Sequence, residues 1–143
     1  KLLNEALLSY DPYRSFTEVL GFVPYDQLPS LLAKCHLFIF ASSCENMPNT
    51  LLEGMAVGLP IACSDRGPMP EILKDGGVYF NPEHPISIAG AIEKLILDSE
   101  LREKLATTAK KLSMQYSWSR CADETMKFIV NTYKKHCGLT RRG

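Results

Sequence analysis

What this chain lacks narrows it first. No apolar run approaches the roughly 20 residues that a bilayer-spanning helix needs, and no leader with a basic start, an apolar stretch and a small-residue cleavage site is visible. Neither sign of charge dominates: 16 Lys and Arg face 16 Asp and Glu, so no global field draws the protein toward nucleic acid. The five cysteines, Cys35, Cys44, Cys63, Cys121 and Cys137, form no CxxC pair and no Cys/His ligand cluster. No metal site is expected from such spacings. An odd count so spread fits reduced thiols in a cytosol better than a disulfide framework, and a cytoplasmic protein is the expectation. No Gly-x-Gly-x-x-Gly follows any strand-like run, which argues against a dinucleotide oxidoreductase. Internal repeats and low-complexity segments are also absent.

What is present is an ordinary globular composition. The 143 residues are 45% hydrophobic and 22% charged, which reads as one domain, 1–143, able to bury its own core. Residues 1–10 read as the end of a helix, with Leu3, Ala6, Leu7 and Tyr10 on one stripe. The chain begins there without an initiator Met and reads as a piece of a longer protein. Asp11-Pro12 marks a turn. Residues 16–22 have strand composition and are expected to form the first parallel strand. Residues 26–34 predict a short helix with Leu28, Leu31 and Leu32 inward and Pro29 tolerated in its first turn. Leu37-Phe38-Ile39-Phe40 is too short an apolar run for a helix and reads as a buried strand over 37–41. A helix over 49–58, a strand over 60–63, a one-turn helix from Pro70, a turn at Gly76-Gly77 and a strand over 78–80 follow. Strands separated by helices in this rhythm imply right-handed crossovers and an α/β fold, a Rossmann-like parallel sheet flanked by helices.

From Pro85 to about residue 136 the chain is helical. Three apolar stripes mark three helices: Ile88, Ala91, Ile92, Leu95 and Ile96; Leu101, Leu105, Ala109 and Leu112; Ala122, Met126, Ile129, Val130 and Tyr133. Trp118 reads as a packing anchor. From Arg120 onward six Lys and Arg stand against two Asp and Glu. A solvated helix end accounts for that surplus, and an anionic membrane surface is a further possible partner.

The chain is organised around residues 42–60, which read as strand end, loop, helix and next strand. Asn46 or Asn49 can cap the helix, Pro48 suits its first turn, and Gly58 then Pro60 stop it. A loop at the C-terminal end of a parallel strand that runs into a helix N-terminus is where open α/β sheets bind ligands. Its free amides and positive dipole end favour phosphate. Two carboxylates bracket the turn, spaced Glu45-x7-Glu53. Glu45 is a loop residue. Glu53 interrupts an apolar helix between Leu51-Leu52 and Met55-Ala56, an unusual place for a merely solvated acid. Carboxylates accept hydrogen bonds from vicinal hydroxyls.

The segment from Glu45 to Pro60 resembles the Glu-x7-Glu segment of retaining GT-B glycosyltransferases of family 4, the group 1 glycosyltransferases. Further matches come in the expected order: Gly21-Phe22-Val23-Pro24; Ser64-Asp65-Arg66-Gly67-Pro68-Met69-Pro70-Glu71-Ile72; Asp75-Gly76-Gly77-Val78-Tyr79-Phe80-Asn81-Pro82; and the late Tyr116-Ser117-Trp118. Together they span residues 16–133. The family often has two adjacent glycines where this chain has Gly67-Pro68, so one backbone donor is missing.

The resemblance implies the C-terminal, donor-binding half of a GT-B fold, with an N-terminal domain elsewhere in the same protein. The implied activity is transfer of a hexosyl group from a nucleotide-diphosphate sugar to a glycan, lipid-linked or small-molecule acceptor, as in polysaccharide biosynthesis. No cofactor or metal is implied; the sugar nucleotide is the substrate. By resemblance Glu53 holds the ribose hydroxyls, and Glu45, the catalytic candidate, holds hydroxyls of the donor sugar. Backbone amides around Asn46 hold the diphosphate; Pro48 cannot donate, which leaves Met47, Asn49 and Thr50. Gly21, Phe22 and Val23 lie on the side of the base. The family's Arg and Lys on the diphosphate come from a region with no counterpart here; Arg66 and Lys74 are the nearest basic residues, and little transferase activity is expected of this piece alone. With the basic end after Arg120, a cytoplasmic protein peripheral at the inner membrane face is a further expectation. A non-catalytic nucleotide-binding or interaction domain of GT-B ancestry and a sugar-nucleotide epimerase remain open alternatives.

Overall fold

The computed structural model describes residues 2–136. In chain order its elements are α1 (Leu2–Tyr10), α2 (Leu28–Leu32), β1 (Phe38–Phe40), α3 (Asn49–Val57), β2 (Ile61–Ser64), α4 (Met69–Leu73), β3 (Gly77–Phe80), α5 (Pro85–Leu97), α6 (Ser99–Ser113) and α7 (Trp118–His136). The three strands form one parallel sheet in the order β1-β2-β3. Phe38 stands opposite Ile61, and Ile61 opposite Gly77.

β2 is the centre of this sheet, and all four of its residues are buried. Its alternation divides the core, because successive strand side chains face opposite ways. Ile61 and Cys63 pack with Leu51 and Met55 of α3 and with Met69, Ile72 and Leu73 of α4. Ala62 packs on the other face with Phe80, Ala91 and Leu95. α6 ties the two layers together: Leu105 belongs to one cluster and Ala109 to the other. Asp98 starts α6 by accepting a 2.9 Å hydrogen bond from the Leu101 amide. Gly58 ends α3 at φ 86°, a left-handed conformation that costs glycine little.

Several expectations change. Residues 16–22 form no strand and pair with nothing in the sheet. Their apolar side chains stay in solvent, Phe22 at 91% exposure. Composition can mark a segment as strand-like but cannot supply its neighbour. In doubly wound sheets, strands adjacent in sequence across the switch point lie apart in space. β1 likewise ends this sheet rather than lying buried, and Ile39 is 47% exposed. α7 forms as expected but buries none of its residues, so its stripe from Met126 to Tyr133 faces out. Trp118, at 81% exposure, is not a packing anchor among the described residues. Leu3 and Tyr10 of α1 and Ile96 of α5 are exposed too. Cys137, Arg141 and Arg142 lie outside the described residues.

Candidate functional site

The loop after β1 turns into α3 at Pro48, which occupies the N-cap and is itself buried. Neither Asn46 nor Asn49 caps the helix, because no side chain does so. The Asn49 amide, expected to be free, donates 2.9 Å to the Met47 carbonyl, and the Leu52 amide donates to the Pro48 carbonyl. That leaves the Met47 and Thr50 amides of the expected set for an anion, with Thr50 in the first turn, where the helix N-terminus points its positive end.

α3 presents two faces. Leu51, Gly54 and Met55 are buried against the sheet. Asn49, Leu52, Glu53 and Ala56, with Met47 of the preceding loop, instead line a cavity of about 800 Å³. The α6–α7 corner also lines it, through Ser113 and residues 115–118, with Arg120, Cys121 and Glu124 of α7, and so does Tyr25. A smaller cavity, about 290 Å³, lies between α2 and α3. Glu53 and Tyr25 border both cavities.

Glu53 is half-buried there, and burial pushes its carboxyl above the usual range. It forms no ion pair among the described residues. The cation lining the same cavity, Arg120, is already held: its Nε donates 2.7 Å to Glu124 and a second nitrogen donates 3.1 Å to the Gln115 carbonyl. Glu53 therefore keeps both carboxylate oxygens available to hydroxyl donors.

The structure gathers Glu53, Asn49 and Met47 in one cavity. Glu45, Asn46 and Thr50 are not among its lining residues; Glu45 sits half-buried in the loop and Asn46 and Thr50 are exposed. Gly21, at φ 66°, and Phe22 are exposed, with Val23 half-buried, on the segment that leads to Tyr25. Tyr25 went unremarked in the sequence. The signal available was an aromatic residue directly after Pro24 in a motif already singled out. Arg66 is not a free cation either. It donates to Asn81 at 3.2 Å and Glu83 at 3.3 Å and lies 3.7 Å from Asp65. It fastens the 64–68 loop to the segment after β3. No group of three or more His, Cys, Asp or Glu among the described residues is placed to hold a metal ion, and no helix among them is long and apolar enough to cross a membrane.

A parallel sheet flanked by helices, with a half-buried acid on the helix after its first strand, defines a Rossmann-like domain of the kind that forms the C-terminal half of GT-B enzymes. The chain belongs to the glycosyl transferases group 1 family, which residues 14–112, more than half of it, match. It is 31% identical over 115 residues to O-antigen chain mannosyltransferase B of Escherichia coli, covering 80% of this chain and 29% of that protein. Sucrose-phosphate synthase from Thermosynechococcus elongatus has the same fold, with a TM-score of 0.80 at 17% identity over 93% of this chain and 34% of the other. So does HepE of Anabaena, solved in complex with UDP and glucose, with a TM-score of 0.75 at 20% identity over 90% and 35%. The chain thus spans about a third of the length of these relatives.

Proposed function

We propose that this chain is the donor-binding domain of a retaining hexosyltransferase of family 4, which takes a nucleotide-diphosphate sugar in the cytoplasm and serves polysaccharide assembly. The observation that carries the reading is Glu53. It is a half-buried carboxylate without a cation partner among the described residues, bordering two cavities beside the uncapped N-terminus of α3. In this reading Glu53 accepts hydrogen bonds from the ribose 2′- and 3′-hydroxyls. The α3 terminus, through the Thr50 amide, faces the diphosphate and stabilises the charge that grows on it as the sugar departs. Glu45, in the loop before the helix, receives hydroxyls of the sugar. The 21–23 segment meets the base through its backbone. The acceptor, and the basic groups that complete the grip on the diphosphate, belong to the rest of the protein. The UDP bound to the structurally similar HepE makes UDP the first nucleotide to try.

The test is a calorimetric titration of the chain with UDP, GDP and ADP. One of them binds saturably, and Glu53→Gln weakens it by about 10- to 100-fold, the value of a hydrogen bond to a charged group. Melting temperature does not fall, since Gln fills the same space without the buried charge. A fall in melting temperature with unchanged affinity would make Glu53 a structural residue and end the assignment.

A further inference from the structure

Gly54 is buried on the face of α3 opposite the cavity, directly after Glu53. A Cβ at this position would lie 2.9 Å from Cδ1 of Phe38, 3.0 Å from its Cγ and 3.1 Å from its Cε1. Carbon contacts normally begin near 3.5 Å, so either the ring or the helix must move. Two sets of contacts oppose movement of the ring and its strand. The ring stacks on Phe40 with centroids 6.3 Å apart and planes 14° from parallel. Its backbone amide is held by the Pro60 carbonyl at 2.9 Å, and its strand is zipped to β2. The helix is the other partner that can yield.

We propose that Gly54 is a positioning residue for the donor site: by seating α3 directly on the Phe38 ring it sets the depth of Glu53 and of the helix N-terminus. This rests on the reading of Glu53 as the ribose acceptor. The glycine is the only residue small enough for that contact, and the strand it meets carries the loop of Glu45. One contact therefore sets the spacing between the two carboxylates, one on the loop of β1 and the other on α3. A side chain at 54 lifts the helix away from the strand and separates them.

Gly90 supplies an internal control. It too lies within a helix, α5, but a Cβ there meets nothing within 4 Å. Both substitutions replace glycine by a better helix former, and only Gly54→Ala disturbs the packing.

The experiment measures affinity for UDP, GDP and ADP, and melting temperature, for the chain and for Gly54→Ala, Gly90→Ala, Glu53→Gln, Gly54→Ala with Glu53→Gln, Phe38→Leu, and Phe38→Leu with Gly54→Ala. Gly54→Ala weakens the nucleotide on the order of ten-fold, as displacement of a binding group does. Gly90→Ala leaves affinity unchanged. In the Glu53→Gln background Gly54→Ala costs less than in the wild type, because one of the two groups it displaces, the carboxylate, is gone and only the helix N-terminus remains. Leucine at 38 makes room, so the double variant regains the affinity of Phe38→Leu alone. Unchanged affinity in Gly54→Ala, or an equal loss with and without Glu53, overturns the positioning role while leaving the site in place. Wild-type affinity in Glu53→Gln, or no saturable binding of any of the three nucleotides, overturns the site itself and the positioning role with it.

Discussion

Asp11 accepts five hydrogen bonds, from the Ser15 amide and hydroxyl, the Phe16 amide, and the Thr17 amide and hydroxyl, at 2.7 to 3.1 Å. Its own turn wraps it, so it is buried without touching the main core. Burial raises its pKa, but the hydrogen bonds outweigh that and hold the carboxyl well below the usual range. A depressed pKa gives a stabilising contribution that is complete above the unfolded value, about 3.9, and is lost progressively as pH falls from there toward the lower folded value. The Ser15, Phe16 and Thr17 amides should therefore be protected from exchange at pH 6, lose protection as pH drops below about 4, and be unprotected at both in Asp11→Ala. Protection that survives in the variant would show the turn holds without the carboxylate. Glu53 has the opposite sign. Its raised pKa makes the charged form the costly one, so its contribution to stability declines as pH rises past the ordinary glutamate value. Nucleotide affinity runs the other way and falls as acidification protonates the carboxylate; a flat affinity profile through that range would remove Glu53 from the ribose. Glu53 was legible in the sequence because an acid interrupting an apolar helix is conspicuous. The cap was not. Pro48 as N-cap, and the Asn49 amide spent on Met47, depend on the exact path of the loop, which residue types leave open.

At the scale of elements, the helices and the three strands were readable to within a residue or two. α3, β2 and α6 each carry a hydrophobic pattern with one period and a stop signal, and tertiary packing agrees with it. Gly58 is such a signal. Held at φ 86°, it tolerates a Cβ poorly, although the nearest atom that Cβ would meet, Lys110 Cδ at 3.2 Å, belongs to a flexible chain. Gly58→Ala should cost roughly 1 kcal/mol through the backbone and lower the melting temperature by about 4 °C, with nucleotide affinity unchanged. A loss above about 3 kcal/mol would mean the Lys110 contact is rigid. Segment 16–22 failed for a different reason. Strand formation needs a ladder partner, and no property of Phe16, Val19 or Leu20 names one. Tyr25 was missed and Trp118 misjudged on the same ground: whether an aromatic residue faces a core or a cavity is decided by how α2 and α7 sit beside α3.

Across the whole molecule stability is distributed unevenly. β2 is buried from Ile61 to Ser64 and bonded on both edges, with α3, α4 and α5 over its two faces. α7 has 19 residues, more than any other helix here, and buries none of them. Helix propensity alone is marginal, and most helical stability in proteins comes from a packed apolar face. Amide exchange in this chain should therefore be slowest in β2 and its neighbours on β3, near the free energy of global unfolding, and faster by orders of magnitude in α7 and α1. α6 should exchange with the slow group, because Leu105 and Ala109 join both core layers. That order has a consequence for the site. α3 belongs to the slow core through Leu51 and Met55, whereas other lining residues of the cavity belong to the start of α7. Nucleotide held only by α3 and its loop would leave α7 exchange unchanged, while nucleotide that also touches the 113–118 corner would slow it. Exchange followed with and without UDP separates these cases. Slow exchange in α7 of the free chain would refute the gradient itself.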